Sequence, residues 1–216
     1  MTRTRKTISR CFAIWLERVM TGLANLVRGR GYYEKYAKMF RKDLRSVPSL
    51  RLVQATAMGR VLDVGCGIGY LSRLFPDYVG VDPERSALVI GHRLSPARLV
   101  QASVYTLPFR SASFDTVILY DLIEHLHEIP SALREAKRVA GNVVISLVDF
   151  RSFYRFFVYD ETHASELALD HLVPILRGTF KDVRVTRTSG IFSLPSWANE
   201  FVGRHFPNQL VIRCTD

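Results

Sequence analysis

Residues 61–72 read VLDVGCGIGYLS, a short β-rich run that breaks into Gly65, Gly67 and Gly69 before a second apolar run opens at Tyr70. A strand that ends in glycines and leads into a helix is the ligand-binding turn of a parallel α/β sheet. The alternation continues downstream. Further strand candidates are Tyr78–Val81, Arg98–Gln101, Phe114–Leu119, Asn142–Leu147, Val183–Thr188 and Gln209–Cys214, and helix candidates are Tyr70–Leu74, Glu84–Arg93, Pro130–Val139 and Ser165–Arg177. Strand and helix in turn predict a doubly wound, mainly parallel seven-stranded α/β sheet covered on both faces. Ligands of such sheets lie beyond the carboxyl ends of the strands, beside the first strand. Gly65–Gly69 and Asp82 both fall there.

The glycine spacing excludes two nucleotide loops. A dinucleotide fingerprint needs a third glycine where Tyr70 stands, and a P-loop needs Gly-Lys-Ser/Thr, which is absent. Asp63-x-Gly65-x-Gly67-x-Gly69 instead resembles motif I of the class I S-adenosylmethionine-dependent methyltransferases. Three further stretches resemble the same family in order and spacing. "YVGVDPE" sets Asp82 at the end of the second strand, 19 residues after Asp63, where a carboxylate can accept from both ribose hydroxyls. "ASVYTLPFRSASFDTVIL" matches the segment leading into strand four, and "YDLIEHLHEI" the Leu-Glu-His-Val/Leu that follows it. The resemblance spans about Gly59 to Leu147.

The resemblance implies a Rossmann-like methyltransferase fold, S-adenosyl-L-methionine as cofactor and a transferase activity. It assigns Gly65 and Gly67 to the methionine portion, Asp82 to ribose, Ser103 and Val104 to adenine, and Tyr120 to the methyl-transfer face, with Asp63 and Gly69 among the cofactor-binding residues. For Asp63, a structural acceptor tying the glycine loop is the competing reading. Ser103 departs from the family, which has Asp there; a hydroxyl accepts from the adenine amino group more weakly than a carboxylate.

Tyr120, His125 and His163 are the candidate catalytic residues. Asp121, Glu124 and His125 stand at i, i+3 and i+4 and would share one helix face. Two readings compete with His125 as a general base: a divalent-cation site completed by His163, and simple bracing of the active-site helix. No metal ligand is assigned. "DFRSFYRFFVYDETHASE", residues 149–166, is aromatic enough to line a lid over an apolar acceptor or to pack as a core helix. Asp160-x-Thr162-His163 resembles small-molecule, quinone and glycan-associated methyltransferases, with Thr179-Phe180 where Gly-Phe is usual.

Charge divides the chain. Residues 1–51 carry thirteen Lys/Arg against three Asp/Glu, a surplus of +10 that equals the whole chain's net charge. This predicts a basic helical extension, residues 1–51, ahead of a cofactor-binding domain at 52–216. Residues 8–28 place Ile8, Phe12, Trp15, Val19, Leu23 and Leu26 at helical spacing; Arg10, Glu17 and Arg18 interrupt the run and speak against a membrane span. A second helical pattern, residues 32–47, is expected to end at Pro48. The first pattern suits a helix lying in a membrane interface, or one packed on protein. Three scattered cysteines speak against disulfides and for a reducing, cytoplasmic setting, peripheral at the membrane if the first pattern binds lipid. The expected acceptor is a small molecule or a lipid- or glycan-linked compound. An RNA methyltransferase tracking phosphates with the basic segment, and a non-catalytic scaffold, are the alternatives.

Overall fold

The computed structural model describes residues 33, 37–149, 169–189, 196–205 and 207–216. Seven strands form one sheet in the order β3-β2-β1-β4-β5-β7-β6. They are β1 (Val61–Val64), β2 (Tyr78–Asp82), β3 (Arg98–Gln101), β4 (Thr116–Tyr120), β5 (Asn142–Val148), β6 (Asp182–Thr188) and β7 (Gln209–Thr215). β1 to β5 are parallel, while β7 runs antiparallel to both β5 and β6. Central strands β1, β2 and β4 are buried along their whole length, which is why they are largely apolar apart from Asp63 and Asp82. The β6 edge is instead blunted with Arg184, Thr186 and Arg187.

Five α-helices accompany the sheet among the described residues: α1 (Pro48–Thr56), α2 (Arg85–Leu94), α3 (Ile129–Val139), α4 (Leu169–Thr179) and α5 (Ser196–His205). One face packs Leu62, Val64, Val117, Leu119, Val143 and Ile145 with residues of α3 and α4. The other packs Val61, Ile118, Tyr120, Val144 and Val211 with residues of α1 and α2. Alternate residues of each strand therefore serve opposite cores. α3 shows the logic: Ile129, Ala132, Leu133, Ala136 and Val139 are buried at helical spacing, and Arg134 points away. Truncating Leu133 to Ala should cost about 2–5 kcal/mol.

Two expectations about the amino-terminal part are corrected. Pro48 does not end a helix; it is the first residue of α1, where its missing N–H costs nothing. Ahead of it stand two 3-10 turns, Lys38–Arg41 and Leu44–Ser46. The expected boundary between residues 51 and 52 falls inside α1. Leu44, Val47, Leu50 and Val53 are buried in one core, so the domain reaches back at least to Leu44. The expected helix at 70–74 is a 3-10 turn, Tyr70–Arg73, entered through left-handed Gly69. The amphipathic pattern at 8–28 and the aromatic stretch from Phe150 to Tyr159 lie outside the described residues.

Candidate active site

The glycine loop takes its shape from left-handed backbone. Gly65 and Gly67 have φ of 76° and 53°, a region that a Cβ disfavours. The amides of Gly65 and Cys66 both donate to the carbonyl of Val81, at 2.8 and 3.0 Å, folding the loop across the end of β2. Next, the Gly67 amide donates to Asp82 Oδ2 at 2.8 Å, and the Glu84 amide to Asp82 Oδ1 at the same distance. Each carboxylate oxygen keeps a second lone pair, so Asp82 is oriented by two backbone donors and can still accept from a diol. Burial raises the Asp82 carboxyl, and its backbone donors pull it back down.

Asp63, one strand position before the loop, is buried and accepts from the Tyr78 hydroxyl at 2.6 Å. This pair ties β1 to β2 beneath the loop. Burial pushes the Asp63 carboxyl up to about 7, with the Tyr78 hydrogen bond opposing and the Asp82 charge adding to the rise.

Ser103 follows β3 and closes a tight turn, accepting from Thr106 N through its carbonyl at 3.1 Å and from Tyr105 N through Oγ at 3.3 Å. Val104 is buried in the cluster that holds Leu107, Ile123 and Leu126. α3 anchors the following segment: Glu135 accepts from Leu107 N at 2.8 Å, and Arg138 donates to the carbonyls of Leu107 and Phe109.

Beyond β4 the chain turns sharply. Asp121 is non-glycine with φ of 48°, and its Oδ1 accepts from Gln209 Nε2 at 2.6 Å. Its side chain reaches solvent; the protein packed around it raises the carboxyl above its ordinary value, against the pull of Gln209. Leu122 then folds back on the glycine loop, so that a Cβ at Gly65 would lie 2.7 Å from Leu122 Cδ1. The turns after β1 and β4 thus form one surface. Because Asp121 precedes the 3-10 turn Ile123–His125 in a left-handed conformation, it does not share an α-helical face with Glu124 and His125 as the spacing predicts. Glu124 is buried and His125 half-buried, its amide donating to Leu122 O at 2.9 Å. Among the described residues no trio of His, Cys, Asp or Glu is gathered closely enough to hold a metal ion. His163 lies outside them.

Tyr120 is the last residue of β4 rather than the first beyond it. Its ring is buried on the α1 side and its hydroxyl lies 3.1 Å from Ser49 Oγ. Burial holds its phenol well above the usual range. Gln209 Nε2 also donates to Ser146 Oγ at 3.0 Å. Gln209 therefore links Asp121 to Ser146 across the carboxyl ends of β4 and β5, while Tyr120 is held separately by Ser49.

Sequence reasoning missed Ser49, Gln209 and Tyr33, whose ring edge lies 3.9 Å from where a Gly67 Cβ would stand. Tyr33 fell in a periodic run that read as a separate extension.

A glycine loop on the first strand, a backbone-oriented carboxylate closing the second, and an antiparallel last strand define a nucleoside-binding α/β domain. Gly67 fits a ligand passing close by, since the space where its Cβ would stand is open to within 3.9 Å. A family model described as a methyltransferase domain matches residues 62–142. A Mycobacterium tuberculosis protein described as a probable S-adenosylmethionine-dependent methyltransferase is 29% identical over 136 residues, 58% of this chain and 50% of that one. The malonyl-[acyl-carrier protein] O-methyltransferase of Enterobacter lignolyticus is 27% identical over 171 residues, 71% of this chain and 67% of its own. A solved S-adenosylmethionine-dependent methyltransferase from Thermotoga maritima superposes with a TM-score of 0.67 at 22% identity, over 88% of this chain and 97% of that one. These matches support the class I S-adenosylmethionine-dependent methyltransferase superfamily for this chain, with S-adenosyl-L-methionine as the cofactor that superfamily implies. It spans about half the length of the mycobacterial relative.

Proposed function

We propose that this chain methylates an oxygen of a small-molecule acceptor, free or carried on a lipid or glycan, bound beyond the carboxyl end of β4. Asp121 is the observation that carries the reading. A non-glycine residue held left-handed costs on the order of 1–3 kcal/mol, and such strain gathers at functional sites. Here it turns a carboxylate out at the strand end, beside the glycine loop, and Gln209 fixes its direction. The Enterobacter relative is named for O-methylation, which supports an oxygen nucleophile here.

S-adenosylmethionine, when bound, supplies a methyl group that needs no further activation. The protein's work is alignment and proton removal. Asp82, aimed by the amides of Gly67 and Glu84, would hold the ribose; Gly65 and Gly67 let the backbone pass close to the ligand; Ser103 and Val104 would border the adenine. Asp121 would take the proton that the acceptor hydroxyl gives up as its oxygen is alkylated. Tyr120, buried and hydrogen-bonded on Ser49, would support the floor under Asp121. His125 is the second group within reach of that end of the sheet.

The test is incubation of the purified chain with methyl-labelled S-adenosylmethionine and a host-cell extract, fractionated into lipid, glycan, RNA, protein and small molecules. Label in the lipid, glycan or small-molecule fraction is expected. Label confined to RNA or protein would overturn the acceptor reading, and no binding of S-adenosylmethionine in calorimetry would overturn the whole.

A further inference from the structure

We propose that α5 docks the chain on an anionic lipid surface through Trp197 and Phe201. These are the two most exposed large apolar side chains among the described residues, 75% and 57% accessible, and they stand one helical turn apart. His205 continues the stripe a turn further on, its ring 4.6 Å from that of Phe201, and Arg204 is exposed beside it. An exposed tryptophan and phenylalanine backed by cationic groups suit the headgroup boundary, where rings bury and charges meet anionic phosphates.

Charge favours lipid as the occupant. α5 packs on α1, and Glu200 of α5 pairs with Arg51 of α1 at 3.0 Å, which takes up the one acidic side chain of α5. Arg51 is the last residue of the block that carries the +10 surplus. The carboxyl end of that basic block is thereby fixed against the aromatic helix. Basic residues near an anionic bilayer are drawn to its surface charge, and aromatic burial adds to the attraction. No helix among the described residues is long and apolar enough to cross a membrane, so the contact would be peripheral.

Position supplies the functional consequence. α5 links β6 to β7, and β7 begins at Gln209, whose amide holds Asp121. A bilayer under α5 therefore lies at the end of the sheet that carries the candidate base. This deepens the acceptor reading, on which it rests, by naming a lipid-borne acceptor.

The test uses the full chain and vesicles of phosphatidylcholine with and without phosphatidylglycerol, with no cofactor present. Co-sedimentation with the anionic vesicles is expected, and W197A/F201A should weaken it on the order of tenfold. The chain has two tryptophans, so in a W15F background Trp197 alone reports, and its emission should shift to the blue on vesicle binding. Unchanged emission with bound vesicles, or unchanged binding by W197A/F201A, overturns the proposal. So does a chain whose self-association, seen by analytical ultracentrifugation, is what the double substitution abolishes. Calorimetry with S-adenosylmethionine separates the two readings: the double variant should bind it as the parent does, whereas failure of the methyltransferase reading would show as no cofactor binding in either.

Discussion

Asp82 Oδ2 accepts from the Gly67 amide at 2.8 Å, so the carboxylate that ends β2 and the tip of the glycine loop form one hydrogen-bonded unit. Asp82→Ala removes a charged acceptor from two backbone donors at once. Loss of a charge-assisted bond to ligand costs about 1.5–3 kcal/mol, and loosening of the loop adds to it. S-adenosylmethionine affinity should fall by on the order of 100-fold in calorimetry. A scaffold with no use for the cofactor would keep its function in this variant; a methyltransferase would lose it.

Gly65 and Gly67 predict opposite phenotypes. At Gly65 an added methyl would meet Leu122 at 2.7 Å as well as an unfavourable φ, so Gly65→Ala should lower the melting temperature of the cofactor-free chain. At Gly67 the nearest atom is 3.9 Å away, and only the backbone penalty of about 1 kcal/mol remains. Gly67→Ala should therefore leave the free protein nearly as stable while weakening cofactor binding by more than that penalty explains. Thermal unfolding with and without S-adenosylmethionine separates the two.

Asp63 predicts a pH effect on stability. Its carboxyl sits at about 7 in the folded chain against 3.8 as the ordinary value. Between these limits the folded state holds a proton that the unfolded state has released, so the contribution is complete below the unfolded value and is lost as pH rises through about 7. Asp63→Asn keeps an acceptor for the Tyr78 hydroxyl and removes the titration. Denaturant midpoints measured from pH 5 to 8 should fall more steeply with pH for the parent than for the variant, and parallel curves would refute the assignment.

Local pattern accounts for what the sequence disclosed. β1, β2 and β4 are largely apolar runs, and the loop glycines stand where the backbone turns left-handed, so strand and ligand end were both legible. The parts that stayed hidden depend on partners far away in the chain. Tyr120 meets Ser49 across 71 positions and Asp121 meets Gln209 across 88, and no window of sequence contains either pair. Pro48 was ambiguous by its chemistry: the same missing N–H ends one helix or begins the next. The cation reading of Asp121, Glu124 and His125 assumed an α-helix, and the positive φ at Asp121 removes that premise.

The Asp121–Gln209 pair carries the sharpest kinetic prediction. Asn tolerates left-handed backbone and keeps an oxygen for Gln209, so Asp121→Asn should fold normally and bind S-adenosylmethionine within about twofold of the parent. It lacks only the basic carboxylate. If Asp121 removes the acceptor proton, kcat should drop by about 100-fold or more. Parent activity should rise with pH as the carboxylate ionises, with a midpoint above the ordinary carboxylate value, and the variant should lack that limb. Gln209→Leu removes the hydrogen bond that favours the charged form, which should move the same limb to higher pH while leaving cofactor affinity in place. A variant at position 121 with parental kcat and an unchanged pH profile would transfer the role of base elsewhere, with His125 the next group to test.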